Sequence, residues 1–216
     1  MILKRFLLIF LLYLIFLSQK SFSQDFEVGI VGGVDFTQVD GDLSGGYEKF
    51  GGLGGFVLTN KFKNDVGFEM QIKYIQKGSR NVRTRQSGYI YYVIRLQYVE
   101  VPVTFSYPLS KFSKKPYLKK LSLKGGLTLG YLFKAMEDKD GYGFLPASPD
   151  FNKYELGYVA GFKYKLSKKL YANALFGYSI LRVRKKPCGI TPWYHFTTCG
   201  QYNNSVQFSL IYKFVK

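Results

Sequence analysis

Residues 153–166 read KYELGYVAGFKYKL, and the facing of this stretch decides the fold. Tyr154, Leu156, Tyr158, Ala160, Phe162, Tyr164 and Leu166 take every second position. Between them stand Lys153, Glu155, Gly157, Val159, Gly161, Lys163 and Lys165. A strand sends alternate side chains to opposite faces, so one face is greasy along its length and the other is small or charged. A water-soluble strand turns the greasy face into a core. A membrane-spanning strand turns it out to lipid.

The N-terminus bears on that choice. MILKRFLLIFLLYLIFLSQKSFSQ places Lys4 and Arg5 ahead of an uncharged apolar run from Phe6 to Leu17, then a small-x-small pattern at Ser21-Phe22-Ser23. That is the layout of a secretory signal peptide. Its apolar run, about 12 residues, is shorter than the roughly 20 a spanning helix needs. The expectation is a signal peptide over 1–23 and one exported domain over 24–216. No later stretch offers 18 consecutive apolar residues, so a helical span is not expected.

The same alternation recurs along the chain. Period-two runs occupy roughly 26–39, 49–60, 65–77, 89–107, 118–135, 153–166, 170–184 and 202–214. In the cleanest, Val66, Phe68, Met70, Ile72 and Tyr74 share a face. In the longest, the apolar phase slips from Ile90, Tyr92, Ile94, Leu96 and Tyr98 to Val101, Val103, Phe105 and Tyr107. A bulge near Val99–Glu100 is expected to keep both sets on the lipid side. Connections alternate between long (about 8, 10, 16 and 16 residues) and short (about 4, 9 and 3).

Together these features predict an all-β fold: an eight-stranded antiparallel transmembrane β-barrel with long extracellular loops and short periplasmic turns. It must close, because an open sheet edge in lipid strands backbone groups without partners. The final SVQFSLIYKF, with Phe208, Leu210, Tyr212 and Phe214 on one face, resembles the terminal signal read by the barrel assembly machinery. A secreted lipocalin-like barrel fits less well. Gly125, Gly126, Gly157 and Gly161 on its polar faces would make a poor outer water surface.

Eight strands leave room only for side chains. Glu69, Lys73, Arg95, Glu100, Lys124, Glu155 and Lys163 are therefore expected to point inward and pair as a lumen ion network. Glu27, Asp35, Lys77, Lys165 and Lys213 fall on the same face. No catalytic, cofactor or metal site is expected. The sole histidine, His195, lies in CGITPWYHFTTCG with no carboxylate in that loop to orient it. In the same loop Cys188 and Cys199 are expected to form a disulfide, as an exported pair flanking a short loop does.

The whole chain carries a net charge of +17, and about +14 once the signal peptide is removed. An exported barrel meets no nucleic acid, so other anions must be the partners. Arg80, Arg83, Arg85, Arg182 and Arg184 gather at the long-loop rim, where contact with lipid phosphates, those of lipopolysaccharide included, is expected. Arg182 and Arg184 share the phase of Phe176, Tyr178 and Ile180.

Three stretches carry a family resemblance: LQYVEVPVTFSY at 96–107, GGLTLGYLF at 125–133 and YVAGFKYKLSKKLYANALFGYS at 158–179. Through them the chain resembles the outer-membrane β-barrel family of the Bacteroidetes, often called PorT-like. The resemblance covers nearly the whole exported domain and identifies a scaffold. The family's namesake is an accessory of type IX secretion. The expected function is that of a non-enzymatic integral protein of the cell outer membrane, with a structural or surface-interaction role. Its partners would be outer-membrane lipids, the assembly machinery during insertion, and a secretion or host-surface partner. The alternatives are an accessory component of type IX protein secretion and a small-solute or ion pore.

Overall fold

The computed structural model describes residues 26–42, 46–62, 66–81, 91–111, 115, 118–185 and 200–214. The expected signal peptide lies outside them, as do Arg83, Arg85, Cys188, His195 and Cys199. In chain order the strands are β1 (Glu27–Asp40), β2 (Lys49–Lys61), β3 (Gly67–Asn81), β4 (Tyr92–Pro108), β5 (Leu121–Lys139), β6 (Leu145–Pro146), β7 (Tyr154–Lys165), β8 (Leu170–Ser179) and β9 (Tyr202–Lys213). Two 3-10 turns, Leu109–Lys111 and Leu118–Lys120, lie between β4 and β5.

Neighbours run β4-β3-β2-β1-β9-β8-β7-β5, and a β4–β5 pairing closes the ring. Every pairing is antiparallel, so the eight long strands form a closed barrel. The two-residue β6 adds to β5 beyond the end of β7. Both ends of the described chain meet at one rim, where the β2–β3, β4–β5 and β7–β8 connections also lie. This is called the short-turn end below, and the opposite rim the long-loop end.

Within residues 153–166, Tyr154–Lys165 form β7. Tyr154, Tyr158 and Phe162 stand exposed, whereas Glu155, Val159 and Lys163 are buried. The pattern continues around the wall, with Phe56, Ile72, Phe105, Leu129 and Leu210 all more than half exposed. An apolar belt of this extent is not stable against water, and the strands that carry it are long enough for a tilted crossing of a bilayer. The greasy faces therefore see lipid and the charged faces see the lumen.

The expected slip in β4 is not where the structure bends. Ile94, Leu96 and Tyr98 are fully buried and continue into Glu100 and Thr104 as one inward row. The register irregularity sits between Gln97 and Tyr98, whose β5 partners are Lys134 and Leu132. The extra residue is thus Phe133, and the bulge belongs to β5. The physical reason is that the lumen is not polar throughout. Val39, Leu53, Ile75, Ile94, Leu96, Tyr98 and Leu132 make an apolar core inside the barrel. There, an apolar alternation marks the inner face.

Gly78 marks the neighbouring strand at this level. Its φ of 143° and the Ile94 carbonyl oxygen beside it leave no place for a Cβ. Its own carbonyl accepts a hydrogen bond from Thr37 Oγ1 at 2.8 Å.

Candidate functional site

The lumen holds two ion clusters stacked along the barrel axis. The first centres on Glu69 of β3. Lys124 of β5 and Lys163 of β7 each donate to one of its carboxylate oxygens, at 2.5 and 2.7 Å. Gln71 Nε2 adds a bond at 2.6 Å. Alternation puts these groups inside, and register brings them together: Lys124 lies opposite Gly161 and Lys163 opposite Ser122 on the β5–β7 pair. Glycine at 161 leaves no inward side chain between them.

The second cluster is organised by Lys77. Its ammonium lies 2.7 Å from Glu100 and 3.0 Å from Glu155, and 5.3 Å over the Tyr98 ring. The two carboxylates flank Gly130 in one row across β4, β5 and β7. A Cβ on Gly130 would lie 3.2 Å from the Tyr98 ring and 3.4 Å from the Glu155 side chain, so the glycine leaves the gap that these groups fill. Lys73, opposite Glu100 in the ladder, adds an ion pair at 3.4 Å and donates to Gln207 Oε1 at 2.8 Å. Asn203 Nδ2 donates to Glu155 at 2.8 Å and to the Tyr98 hydroxyl at 3.1 Å. Asp35 is fully buried nearby, in the field of Lys77 and Lys73.

Burying a charge is costly unless it is paired, and Glu69, Glu100 and Glu155 each lie within ion-pairing distance of an ammonium, whereas the carboxylate oxygens of Asp35 have no hydrogen-bond partner among the described residues. Above them sits the apolar core. Side chains from facing strands thus meet across the bore at these levels.

A third cluster lies at the long-loop mouth. Glu137 of β5 accepts from Arg184 at 2.5 Å, from the Tyr92 hydroxyl at 2.6 Å and from the Ser148 amide at 3.4 Å. The Arg184 guanidinium also lies 4.4 Å over the Phe151 ring. Backbone bonds run from Asn152 N to Val183 O and from Val183 N to Gln201 O, at 2.7 and 2.8 Å. The β5–β7 connection and the segment after β8 are thereby folded onto the mouth, with Ala147, Phe151 and Val183 buried beneath.

Of the residues expected in the lumen network, Glu69, Lys73, Glu100, Lys124, Glu155 and Lys163 come together there. Arg95 does not. It lies on the opposite face of β4 from the buried Ile94 and Leu96, and its guanidinium stacks 4.1 Å from the Phe144 ring. The expected bulge at Val99–Glu100 would have turned it inward, and no such bulge exists. Arg184 also departs from expectation. β8 ends at Ser179, Ile180 N bonds back to Leu156 O, and the chain turns so that Arg184 is 5% exposed and paired with Glu137. A buried, paired guanidinium is removed from the lipid-phosphate set. Arg80 and Arg182 remain exposed.

Glu137 escaped the reading of the sequence. It falls in phase with the lipid-facing Leu129, Tyr131 and Phe133, and only the bulge at Phe133 turns it inward. Asn203 and Gln207 escaped because uncharged amides carry no pairing signal in a sequence.

The model of a family described as outer membrane protein beta-barrel domain matches residues 18–183. Among solved structures, Neisserial surface protein A is similar over 88% of this chain and 97% of its own, at 11% identity and a TM-score of 0.51. Ail, the attachment invasion locus protein of Yersinia pestis, solved with the heparin analogue sucrose octasulfate, aligns over 88% and 99% at 16% identity and a TM-score of 0.47. OprG from Pseudomonas aeruginosa aligns over 89% and 98% at 14% identity and a TM-score of 0.40. A comparison with curated proteins finds no match. The family match runs from ahead of β1 to beyond the end of β8, across the lipid-facing belt and the filled bore, and the chain belongs to the outer membrane protein beta-barrel domain family and resides in the outer membrane.

Proposed function

We propose that this barrel is a non-conducting, non-enzymatic scaffold that holds its long connections rigidly at the cell surface for structural or surface-interaction work. The observation that carries the reading is the filled bore. Two ion clusters and an apolar core occupy it, and the Glu137 cluster ties the mouth segments to the wall. A solute pore would need an open polar path. An enzyme would need a base, a nucleophile and a cleft to bring them to substrate.

The reading has a topological consequence. With the long connections outward, trypsin added to whole cells should cut after Arg182 or Lys185, both exposed, and spare Lys119 and Lys120. Mass spectrometry of the released peptides reads the outcome. Cleavage at Lys119 or Lys120 in intact cells would reverse the orientation and remove the surface role. With the long connections outward, exposed Arg80 and Arg182 are the rim residues placed to meet lipid A phosphates, since guanidinium groups suit the head-group level.

A second reading rests on LQYVEVPVTFSY, which supports the narrower kinship with PorT-like barrels of the Bacteroidetes. It would make the protein an accessory of type IX secretion. Deleting the gene and measuring export of type IX cargo separates the two: intact export favours the surface scaffold.

A further inference from the structure

The short-turn end of the barrel carries a cavity that the scaffold role does not use. It has a volume of about 240 Å³ and opens at the rim formed by the β2–β3, β4–β5 and β7–β8 connections. Six lysines line it: Lys61, Lys119, Lys120, Lys163, Lys165 and Lys213. Strand alternation explains why they converge. Lys61 follows the buried Val57 and Thr59 on β2, Lys165 follows Lys163 on β7, and Lys213 follows Gln207 and Ser209 on β9. These side chains belong to the inner face and project toward the barrel axis, away from the lipid belt. Lys119 and Lys120 come from the 3-10 turn Leu118–Lys120, which contributes to the same wall.

Among the described residues, the carboxylates at this level, Glu27 and Glu69, are already engaged. Lys213 pairs with Glu27 at 2.6 Å, and Lys163 shares Glu69 with Lys124. Among the described residues, no carboxylate lies within ion-pairing distance of Lys61, Lys119, Lys120 or Lys165. Four ammonium groups with no ion pair among the described residues thus line one concavity, with Lys61 in the outer field of Glu27. A concave site walled by protein focuses their field more strongly than a flat rim in water does. Hydroxyls of Ser110 and Ser122 sit in the same wall as neutral donors.

We propose that this vestibule binds a small multivalent oxyanion bearing phosphate groups. Its volume lies below the roughly 300–1,000 Å³ of pockets that enclose drug-sized ligands, which suits a phosphoryl or pyrophosphoryl group without acyl chains. Compact, strongly hydrated ammonium groups from several strands bind such a charge from several directions. A soluble anion and the head of a lipid whose chains stay outside both present such a group, and the chemistry is shared.

Inorganic pyrophosphate titrated onto the native barrel in a non-ionic detergent tests this by isothermal calorimetry. The expected result is saturable binding of one anion per barrel. It should weaken at least tenfold in the Lys119→Ser/Lys120→Ser pair and in Lys165→Ser. Lys153→Ser, an exposed lysine near the opposite rim, should leave it unchanged, and a heat-modifiable gel shift checks that each variant is folded. Repeating the titration in nanodiscs separates the two sources. Retention of binding in phosphatidylglycerol discs assigns the site to a free anion. Its loss there, with retention in phosphatidylcholine discs, assigns it to a lipid headgroup. Absence of saturable binding by the native barrel, or an equal weakening in Lys153→Ser, would overturn the proposal.

Discussion

Replacing Glu69 by glutamine should destabilise the folded barrel by about 3–5 kcal/mol, the usual loss when one partner of a buried ion pair is removed. Glu69 is the carboxylate that both Lys124 and Lys163 reach, and Lys124 is only 1% exposed. Glutamine keeps the shape and can still accept a hydrogen bond, but it leaves two ammonium groups buried without a counter-charge. Urea unfolding in lipid vesicles, followed by circular dichroism or by the heat-modifiable gel shift, measures the change. The same account makes a rescue prediction. Adding Lys124→Met and Lys163→Met to Glu69→Gln removes the stranded charges, and well-packed apolar groups are often neutral or stabilising in place of a buried ion cluster. The triple variant should therefore recover most of the loss. A single variant within about 0.5 kcal/mol of native, which is the range of substitutions away from buried features, would mean that the cluster is hydrated and weakly coupled.

Glu137→Gln should release the mouth while leaving the wall folded. Glu137 holds Arg184, Tyr92 and the Ser148 amide at once, and so ties β4, β5, the β5–β7 connection and the segment after β8 to one point. A loss of about 3 kcal/mol is expected from stranding the buried guanidinium. By the rule that about 1.4 kcal/mol is tenfold, local opening would become roughly a hundredfold more frequent. Amide hydrogen exchange at Asn152, Val183 and Gln201, whose bonds hold the segment after β8 to the β5–β7 connection and to the start of β9, should accelerate by that factor. The β1–β2 and β8–β9 ladders should be unaffected. Unchanged exchange at those three amides would show that the apolar contacts of Phe151 and Val183 close the mouth without the ion pair.

The sequence makes the barrel legible because lipid and lumen impose opposite chemistries on alternate residues. Where that contrast holds, as in β7 and in Phe68 to Tyr74 of β3, facing follows directly from the pattern. It fails where both faces are apolar. Ile94, Leu96 and Tyr98 look like lipid-facing residues, yet they fill the upper bore. The misassigned facing of β4 then carried Arg95 into the lumen. One extra residue on β5 hid Glu137 in the lipid phase, and an early end to β8 hid Arg184 from its partner. These errors share a cause. Strand alternation is local, whereas a bulge or a bend is decided by packing across the bore. The sequence places Lys119 and Lys120 at the short-turn rim, but not their convergence with Lys61, Lys163, Lys165 and Lys213. Their positions on β2, β7, β9 and the Leu118–Lys120 turn are far apart in the chain and meet only when the sheet closes.

Single-channel recording on the native exported barrel in a planar bilayer tests the central claim most directly, since that claim is that the bore is filled. On the proposed reading, the Lys77 bridge to Glu100 and Glu155, the Glu69 cluster and the apolar core above them block the path of a hydrated ion. The account predicts no steady current from protein that shows the heat-modifiable gel shift of a folded barrel. A stable, reproducible open-state current from such protein would contradict it and make the barrel a pore.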